Sequence, residues 1–407
     1  MPDTATEVWV MFGAESVLAG HLWSHRRGRT ESATFAYDSG YLARPDAYRL
    51  DPALPLFDGQ QQTAAGRPLF GAFTDSAPDR WGERLIRRKA EVGGGAGARN
   101  IGEIDFLLGV GDDMRQGALR YRDPHAGAFL ADAQEAVPPL LALPELLGAA
   151  DRLERDEADE EQLRVLLRGG SSLGGARPKA NVLMPDGRVA IAKFPSVDDE
   201  HDVIRWEAVA MTLARSAGIE VADFELRTVD GKPVLLLDRF DRSAGHRVGY
   251  VSAMTMLEAE DGDSASYPEI AEAIETFSPS ATRDMRELWR RVAFSVLISN
   301  TDDHLRNHGF LRRSTAGWDL SPAFDLNPEP GPGIKRLHTA ITFEDDRASV
   351  ENLIEARDYF RLDAAEAQEI LATVRAATDR WSEVAEQAGL ERAEIGGMAT
   401  AFEATGG

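Results

Sequence analysis

Asn300–Phe310 reads NTDDHLRNHGF, and it runs on into Leu311–Leu320 (LRRSTAGWDL) and Ser321–Gly331 (SPAFDLNPEPG). Two short apolar runs, Phe310–Leu311 and Trp318–Leu320, flank a polar turn, which is the pattern of a hairpin. Asp302 and Asn307, with four residues between them, precede the first strand; Asp325, 18 positions after Asn307, follows the second. A hairpin brings its outer ends together, so the pattern predicts that these three side chains converge.

Phosphoryl transfer needs such a set. One carboxylate orients and deprotonates the attacking hydroxyl, while an amide and a second carboxylate hold magnesium against the nucleotide phosphates. Asp-x-x-x-x-Asn is also the spacing of the protein-kinase catalytic loop. Asn and Asp supply the hard oxygens that magnesium prefers. Two other readings of this segment stay open. Asp302, Asp303, His304 and His308 are ligand types for a hydrolytic zinc or iron centre, although no other His-rich segment completes the set. The same Asp and Asn also serve as caps in an ordinary loop.

Working outward, the middle of the chain favours the first reading. Arg168–Lys179 (RGGSSLGGARPK) is a loop dense in Gly, Ser and basic residues. Gly174 and Gly175, with Arg177 and Lys179, offer N–H groups and cations to phosphates. The GxxxxGK[ST] pattern is absent, so this is not a Walker loop. A hairpin pattern follows: Ala180–Met184, the turn Pro185-Asp186-Gly187, and Val189–Phe194 (VAIAKF). Lys193 ends an apolar strand, where an unpaired ammonium is costly. Glu207 in the next predicted helix, Asp202–Ser216, is its natural partner; strand Lys with helix Glu is the kinase ion pair. Standing alone, Lys193 would instead read as a lysine reaching solvent. A second hairpin, Phe224–Val229 and Val234–Phe240 about Asp230-Gly231, comes next.

The first third reads as a hairpin, Val8–Phe12 with Val17–Trp23, a further strand at Ala33–Tyr37, and a helix over Asp79–Ala90 capped by Asp79. That helix carries a basic cluster, Arg84, Arg87, Arg88 and Lys89, read either as a solvated face or as a surface for an anionic partner. Gly93–Gly97 is a flexible loop by composition. Pro144–Leu167 has helical periodicity and an acidic patch at Asp156–Gln162, taken as facing solvent. From Val251 the pattern is mostly helical: Val251–Glu258, Tyr267–Phe277, Thr282–Ser299, Val350–Phe360 and Ala364–Ala388.

Composition sets the bounds. With 407 residues, 43% apolar and 28% charged, the chain has the make-up of a globular protein of two or three domains. It has no cysteine, which excludes disulfides, Cys zinc sites and Cys nucleophiles and agrees with a reducing cytoplasm. MPDTATEVWV lacks the make-up of a signal peptide, and no run is apolar enough for a membrane span. A net charge of −23 repels bare DNA and anionic lipid.

Taken together these motifs resemble the HipA family, the kinase toxins of bacterial type II toxin–antitoxin modules. VWVMFGAESVLAGHLW and FTDSAPDRWGERLI look like its N-terminal subdomain, SSLGGARPK like its phosphate and autophosphorylation loop, and IAKF like its nucleotide lysine segment. LDRFDR looks like its hinge, and NTDDHLRNHGFL and SPAFDLNP like its catalytic and metal motifs.

The resemblance implies an α+β fold, two-lobed and protein-kinase-like, with an extra N-terminal α/β subdomain and an all-helical C-terminal lobe. The expected domains are 1–125, 126–242 (the kinase N-lobe) and 243–407 (the helical C-lobe). It implies Asp302 as catalytic base, braced by His304, and Asn307 and Asp325 as magnesium ligands. It further implies that ATP meets Gly174, Gly175, Ala176, Arg177, Lys179 and Lys193, the backbone of Asp238, Arg239 and Phe240, and the catalytic-motif residues His304, Asn307 and Asp325. Autophosphorylation falls on Ser172, with Ser171 as the alternative; serines beside glycine also simply satisfy turn backbone. The cofactors are ATP and Mg2+. The partners are a HipB-like helix-turn-helix antitoxin and a protein substrate, by analogy an aminoacyl-tRNA synthetase such as the glutamyl enzyme. DNA is met only through the antitoxin, and no membrane is involved. In one departure, Arg177-Pro178 stands where some members carry Gln-Glu, and proline stiffens the loop and removes a donor. The competing function is a catalytically weak kinase fold that serves as co-repressor with a DNA-binding antitoxin. Such a protein would be expected to lose Asp302, Asn307, Asp325 or Lys193, and all four are present.

Overall fold

Period-two alternation builds the first sheet, because successive side chains of a strand face opposite sides. The computed structural model describes residues 5–28, 30–92, 101–130, 137–170 and 175–403. In it β1 (Ala5–Phe12), β2 (Glu15–Arg27), β3 (Thr30–Tyr37), β4 (Gln60–Gln62) and β5 (Leu119–Arg122) form an antiparallel sheet in the order β4-β3-β2-β1-β5. Val8 and Val10 of β1 are fully buried while Glu7 and Trp9 face the other side. Among the helices α1 (Ser39–Leu42), α2 (Gly71–Asp75), α3 (Arg80–Val92) and α4 (Glu103–Gly109), α3 starts as expected. Asp79 Oδ1 accepts the Gly82 N–H at 2.8 Å, and Trp81 and Leu85 are buried. The basic cluster of α3 is largely engaged within the molecule. Arg84 donates to the carbonyl oxygens of Leu153 and Glu154, Arg87 pairs with Glu83, and Arg88 with Glu91.

The single helix expected over Pro144–Leu167 is two, α5 (Leu143–Glu154) and α6 (Glu160–Gly169). The break lies in the acidic patch. Asp156 adopts a left-handed φ of 58°, and Asp159 caps α6 through a reciprocal box with Gln162. Short polar side chains that bond nearby backbone favour such ends over helix interiors. Then come β6 (Lys179–Leu183) and β7 (Val189–Lys193), an antiparallel hairpin in which Lys179 lies opposite Lys193. Gly93–Gly97 and Ser171–Gly174 lie outside the described residues.

The described residues divide into two compact units, Met1–Val197 with Asp241–Val251, and Asp198–Phe240 with Ser252–Gly407. The second begins with α7 (Val203–Ser216), β8 (Phe224–Val229) and β9 (Lys232–Asp238), the last two an antiparallel hairpin. The chain then returns to the first unit through β10 (Arg242–Ser243), β11 (His246–Arg247) and β12 (Gly249–Ser252). That excursion is clamped there: Asp241 accepts the Gly117 N–H at 2.8 Å, Arg242 donates to Arg115 O at 2.9 Å, and Arg247 reaches the Asp112 carboxylate at 2.9 Å.

The rest of the second unit holds α8 (Ala253–Met256), α9 (Tyr267–Phe277), α10 (Ala281–Ile298), β13 (Gly309–Ser314), β14 (Gly317–Leu320), α11 (Val350–Glu355), α12 (Ala364–Thr378), α13 (Trp381–Gln387) and α14 (Arg392–Phe402). It is helical except for its hairpins, so the all-helical C-terminal lobe is corrected by the β13–β14 pair, which is the hairpin expected from Phe310–Leu311 and Trp318–Leu320. Val251–Glu258 is strand end and short helix rather than one helix, and Ala364–Ala388 breaks at Asp379–Arg380. The core lies along α10, where Trp289, Val292, Ala293 and Phe294 are wholly buried. Trp206 of α7 packs against Trp381 and Phe402, and its Nε1–H donates to Glu394. Among the described residues no helix is long and apolar enough to cross a membrane.

Candidate active site

The C-terminus of α10 launches the segment that carries Asp302 and Asn307. Ser299 turns left-handed at φ 51°, which ends the helix and sends Asn300 back under its last turn. Asn300 is buried and works as a bracket: its Oδ1 accepts the Asn327 N–H at 3.1 Å, and Glu329 N–H reaches Ser299 O at 3.2 Å. Asn327 Nδ2 in turn lies 3.4 Å from Asp325 Oδ1. On the other side, Asn307 Nδ2 donates to Asp302 O at 2.8 Å across a short 3-10 turn, Leu305–Asn307. A continuous run of hydrogen bonds and chain therefore joins Asp325, Asn327, Asn300, Asp302 and Asn307. The two ends of the β13–β14 hairpin meet, as its pattern predicts.

Asp325 has φ 58°. A non-glycine residue held there is unfavourable, Asp tolerates it better than most, and such residues gather at functional sites. The bond from Asn307 Nδ2 fixes the amide's orientation and leaves Oδ1 as the face for a cation. One amide oxygen and one carboxylate, completed by water and phosphate, suit magnesium. Asp302 is exposed at the surface of this assembly, where a substrate hydroxyl can reach it. His304 is half-buried, with Nδ1 enclosed and lacking a partner, and its ring meets the edge of His338 at 5.9 Å.

Asp303, next to Asp302, has different surroundings. It is 1% exposed, and it accepts hydrogen bonds from Tyr267 Oη, from the His338 N–H at 2.9 Å and from the Thr339 N–H at 3.2 Å. Its own carbonyl oxygen accepts from Thr339 Oγ1 at 2.7 Å. Burial pushes its carboxyl up to about 7, against the pull of those donors. Burial likewise holds Tyr267 well above its ordinary range and pushes the His308 imidazole down to about 3, with Arg291 adding to the latter. A hydrolytic metal centre from Asp302, Asp303, His304 and His308 does not assemble. Asp303 is spent on the 338–339 segment, and among the described residues no group of three His, Cys, Asp or Glu is arranged to hold a metal.

The sequence signalled neither the bracketing role of Asn300 and Asn327 nor that of Asp303. Their only mark is being polar residues beside the motif residues, which caps share. Also in this unit, the Phe240 ring packs on Phe324 at 5.4 Å, one residue before Asp325. Arg239 is buried, and the Asp238 N–H is donated to Asp223 O at 2.8 Å. Glu207 is 2% exposed on α7. A cavity of about 600 Å³ elsewhere, lined by Arg283, Glu287 and Arg290 among others, contains none of these residues.

The remaining expected residues lie in the first unit. Gly175, Ala176 and Arg177 lead into β6, while Ser171, Ser172 and Gly174 lie outside the described residues. Lys193, expected to be buried, is half-buried at the end of β7; the deeply buried lysine of the hairpin is Lys179, at 2%. Its Nζ is 2.7 Å from Asp79 Oδ2 and 3.0 Å from Gly175 O.

With this geometry in hand, comparison with known proteins defines the class. Residues 171–381, more than half of the chain, match the HipA-like C-terminal domain, and residues 10–122 match the HipA N-terminal domain. The chain belongs to the HipA family. Across 98% of its length it shares the fold of HipA from Shewanella oneidensis, solved with HipB and operator DNA; the TM-score is 0.65 at 17% identity, covering 95% of that chain. The expected α+β, two-lobed kinase-like fold is thus the one observed. "Putative kinase Y4mE" of Sinorhizobium fredii is 26% identical over 326 residues, 72% of this chain and 71% of its own. Y4dM of the same organism, described likewise, is 33% identical over 156 residues, 33% of this chain and 36% of its own.

Proposed function

We propose that this protein is an ATP-dependent serine/threonine protein kinase and acts as the toxin of a toxin–antitoxin pair. The observation that carries the reading is the hydrogen-bonded assembly that unites Asp302, Asn307 and Asp325, with Asp325 in a left-handed conformation. Asp302 accepts the proton of the substrate hydroxyl as its oxygen bonds to the γ-phosphorus; the bond from that phosphorus to the bridging oxygen breaks, and ADP leaves. Magnesium, when bound, would neutralise charge on the phosphates, and Asn307 and Asp325 would hold it. His304 braces the loop. Lys193, Arg177, Lys179 and the Gly174–Gly175–Ala176 backbone meet phosphates, and backbone of Asp238–Phe240 meets the base.

The relatives described as kinases support the chemistry, and the HipB and operator-DNA complex of the Shewanella protein supports a small helix-turn-helix partner that carries the DNA contact. By family analogy the substrate is translation-related, such as an aminoacyl-tRNA synthetase, and Ser172 or Ser171 is autophosphorylated as an off-switch. A phosphoserine there adds roughly −1.5 to −2 charge and competes with ATP for the loop cations.

The test separates binding from transfer. Asp302→Asn should abolish radiolabel transfer, loop phosphorylation and growth arrest while still binding ATP. Asp325→Ala should lose magnesium-dependent nucleotide binding. Undiminished transfer by Asp302→Asn would refute the role, and growth arrest by that variant would favour the co-repressor reading.

A further inference from the structure

We propose that Asp79 is a positioning residue for the glycine loop: through Lys179 it fixes the limb Gly175–Lys179 in the shape that receives nucleotide phosphates. The inference deepens the phosphate-loop reading and rests on it. Asp79 stands 100 residues before Lys179 in the chain, at the start of α3. Its two oxygens are divided. Oδ1 accepts the Gly82 N–H at 2.8 Å, which fixes the carboxylate to the rigid first turn of α3, and Oδ2 takes Lys179 Nζ at 2.7 Å. Both side chains are almost wholly enclosed, at 4% and 3% exposure. A buried lysine holds its place only when its charge is answered.

The lysine passes this restraint to the loop. Nζ also donates to Gly175 O at 3.0 Å, so the ammonium ties the far side of the limb to its base. Gly175 has φ 88°, and a Cβ there would stand 3.4 Å from Nζ, so the turn needs a glycine. The base is pinned twice more, by Trp81 Nε1–H on Lys179 O at 3.0 Å and by the Phe194 N–H on Pro178 O at 2.9 Å. Trp81 is two residues from Asp79, so one turn of α3 holds both the backbone and the side chain of Lys179. Lys179 also lies directly across the hairpin from Lys193. Like charges so placed repel. Asp79 draws one of them inward and neutralises it, which leaves the strand-end position to Lys193.

Loss of the Asp79 charge should release Lys179 from its enclosure, free the Gly175 carbonyl and crowd Lys193. The groups for phosphate lose their places, and nothing at the base-binding segment changes. The experiment measures dissociation constants of the full chain for magnesium-ATP and for adenosine. Asp79→Asn keeps an acceptor for the Gly82 N–H and removes the charge. It should weaken ATP binding roughly tenfold, the cost of displacing positioned groups, and leave adenosine within about twofold. Asp79→Asn/Lys179→Met removes the unpaired buried charge as well, so it should regain stability and still bind ATP weakly. Equal losses for ATP and adenosine, no loss of ATP affinity, or a double variant that fails to melt cooperatively would each overturn the proposal. A wild-type chain that binds ATP no more tightly than adenosine would overturn the phosphate-loop reading itself, and the proposal with it.

Discussion

At the scale of single residues, two adjacent aspartates of one motif have opposite surroundings. Asp302 and Asp303 are neighbours in sequence, yet one faces outward and the other is buried under Tyr267 and the 338–339 segment. Asp303 therefore holds the loop that carries Asp302. Its titration gives a signed prediction. Burial raises its carboxyl from 3.8 to about 7, so the folded state holds the proton more tightly than the unfolded chain. The stability it contributes is full below about pH 4 and falls as pH rises through about 7. Its neighbours Tyr267 and His308 are both held toward neutrality by burial, and Arg291 faces both. Asp303→Asn cannot ionise, so the melting-temperature gap between wild type and variant should change steadily in the variant's favour between about pH 4.5 and 7.5. Thermal melts at both values check it, and a gap independent of pH counts against the assignment.

Among the elements, helix ends carry the most consequence. The α5–α6 break arises because Asp159 and Gln162 satisfy each other's backbone donors, and Arg84 of α3 seals the carbonyls at the end of α5. Asp159→Ala should cost about 1 kcal/mol, the usual worth of an N-cap. Denaturant unfolding should show it as a lower midpoint with an unchanged slope, and a midpoint equal to wild type would mean that the cap is redundant. The left-handed Ser299 at the end of α10 matters in another way, because it delivers Asn300 to the position from which it holds Asn327.

For the whole molecule, charge is the leading feature. A net charge of −23 makes direct DNA binding unfavourable and a basic partner favourable. If the antitoxin proposal holds, affinity for the helix-turn-helix protein encoded beside this chain should fall as salt rises from about 0.05 to about 0.5 M, since exposed charges are screened beyond a Debye length. Co-purification followed by binding measurements across that range tests it, and a salt-independent affinity would assign the contact to apolar burial instead.

How far the sequence alone reached follows from the range of the interactions involved. Strand alternation, the Pro-Asp-Gly turn and the β13–β14 hairpin were legible because they depend on residues close together in the chain. So was the joining of Asp302, Asn307 and Asp325, because a hairpin of short loop length brings its own ends together. The helix break at Asp156–Asp159 was missed because apolar periodicity continued through it, while the cap chemistry that ended α5 and restarted the chain was read only as a charged patch. Asp303 and Lys179 have surroundings that no local pattern signals. Asp303 stands beside Asp302 in a segment rich in ligand types, and Lys179 stands in a glycine loop, so the sequence shows only their neighbours in the chain. Only the tertiary structure decided their surroundings: Asp303 meets Tyr267, 36 residues earlier, and Lys179 meets Asp79, 100 residues earlier. The chemistry of an ionisable group is set by its burial and its nearest opposite charge, and folding supplies both from parts of the chain that no local pattern connects.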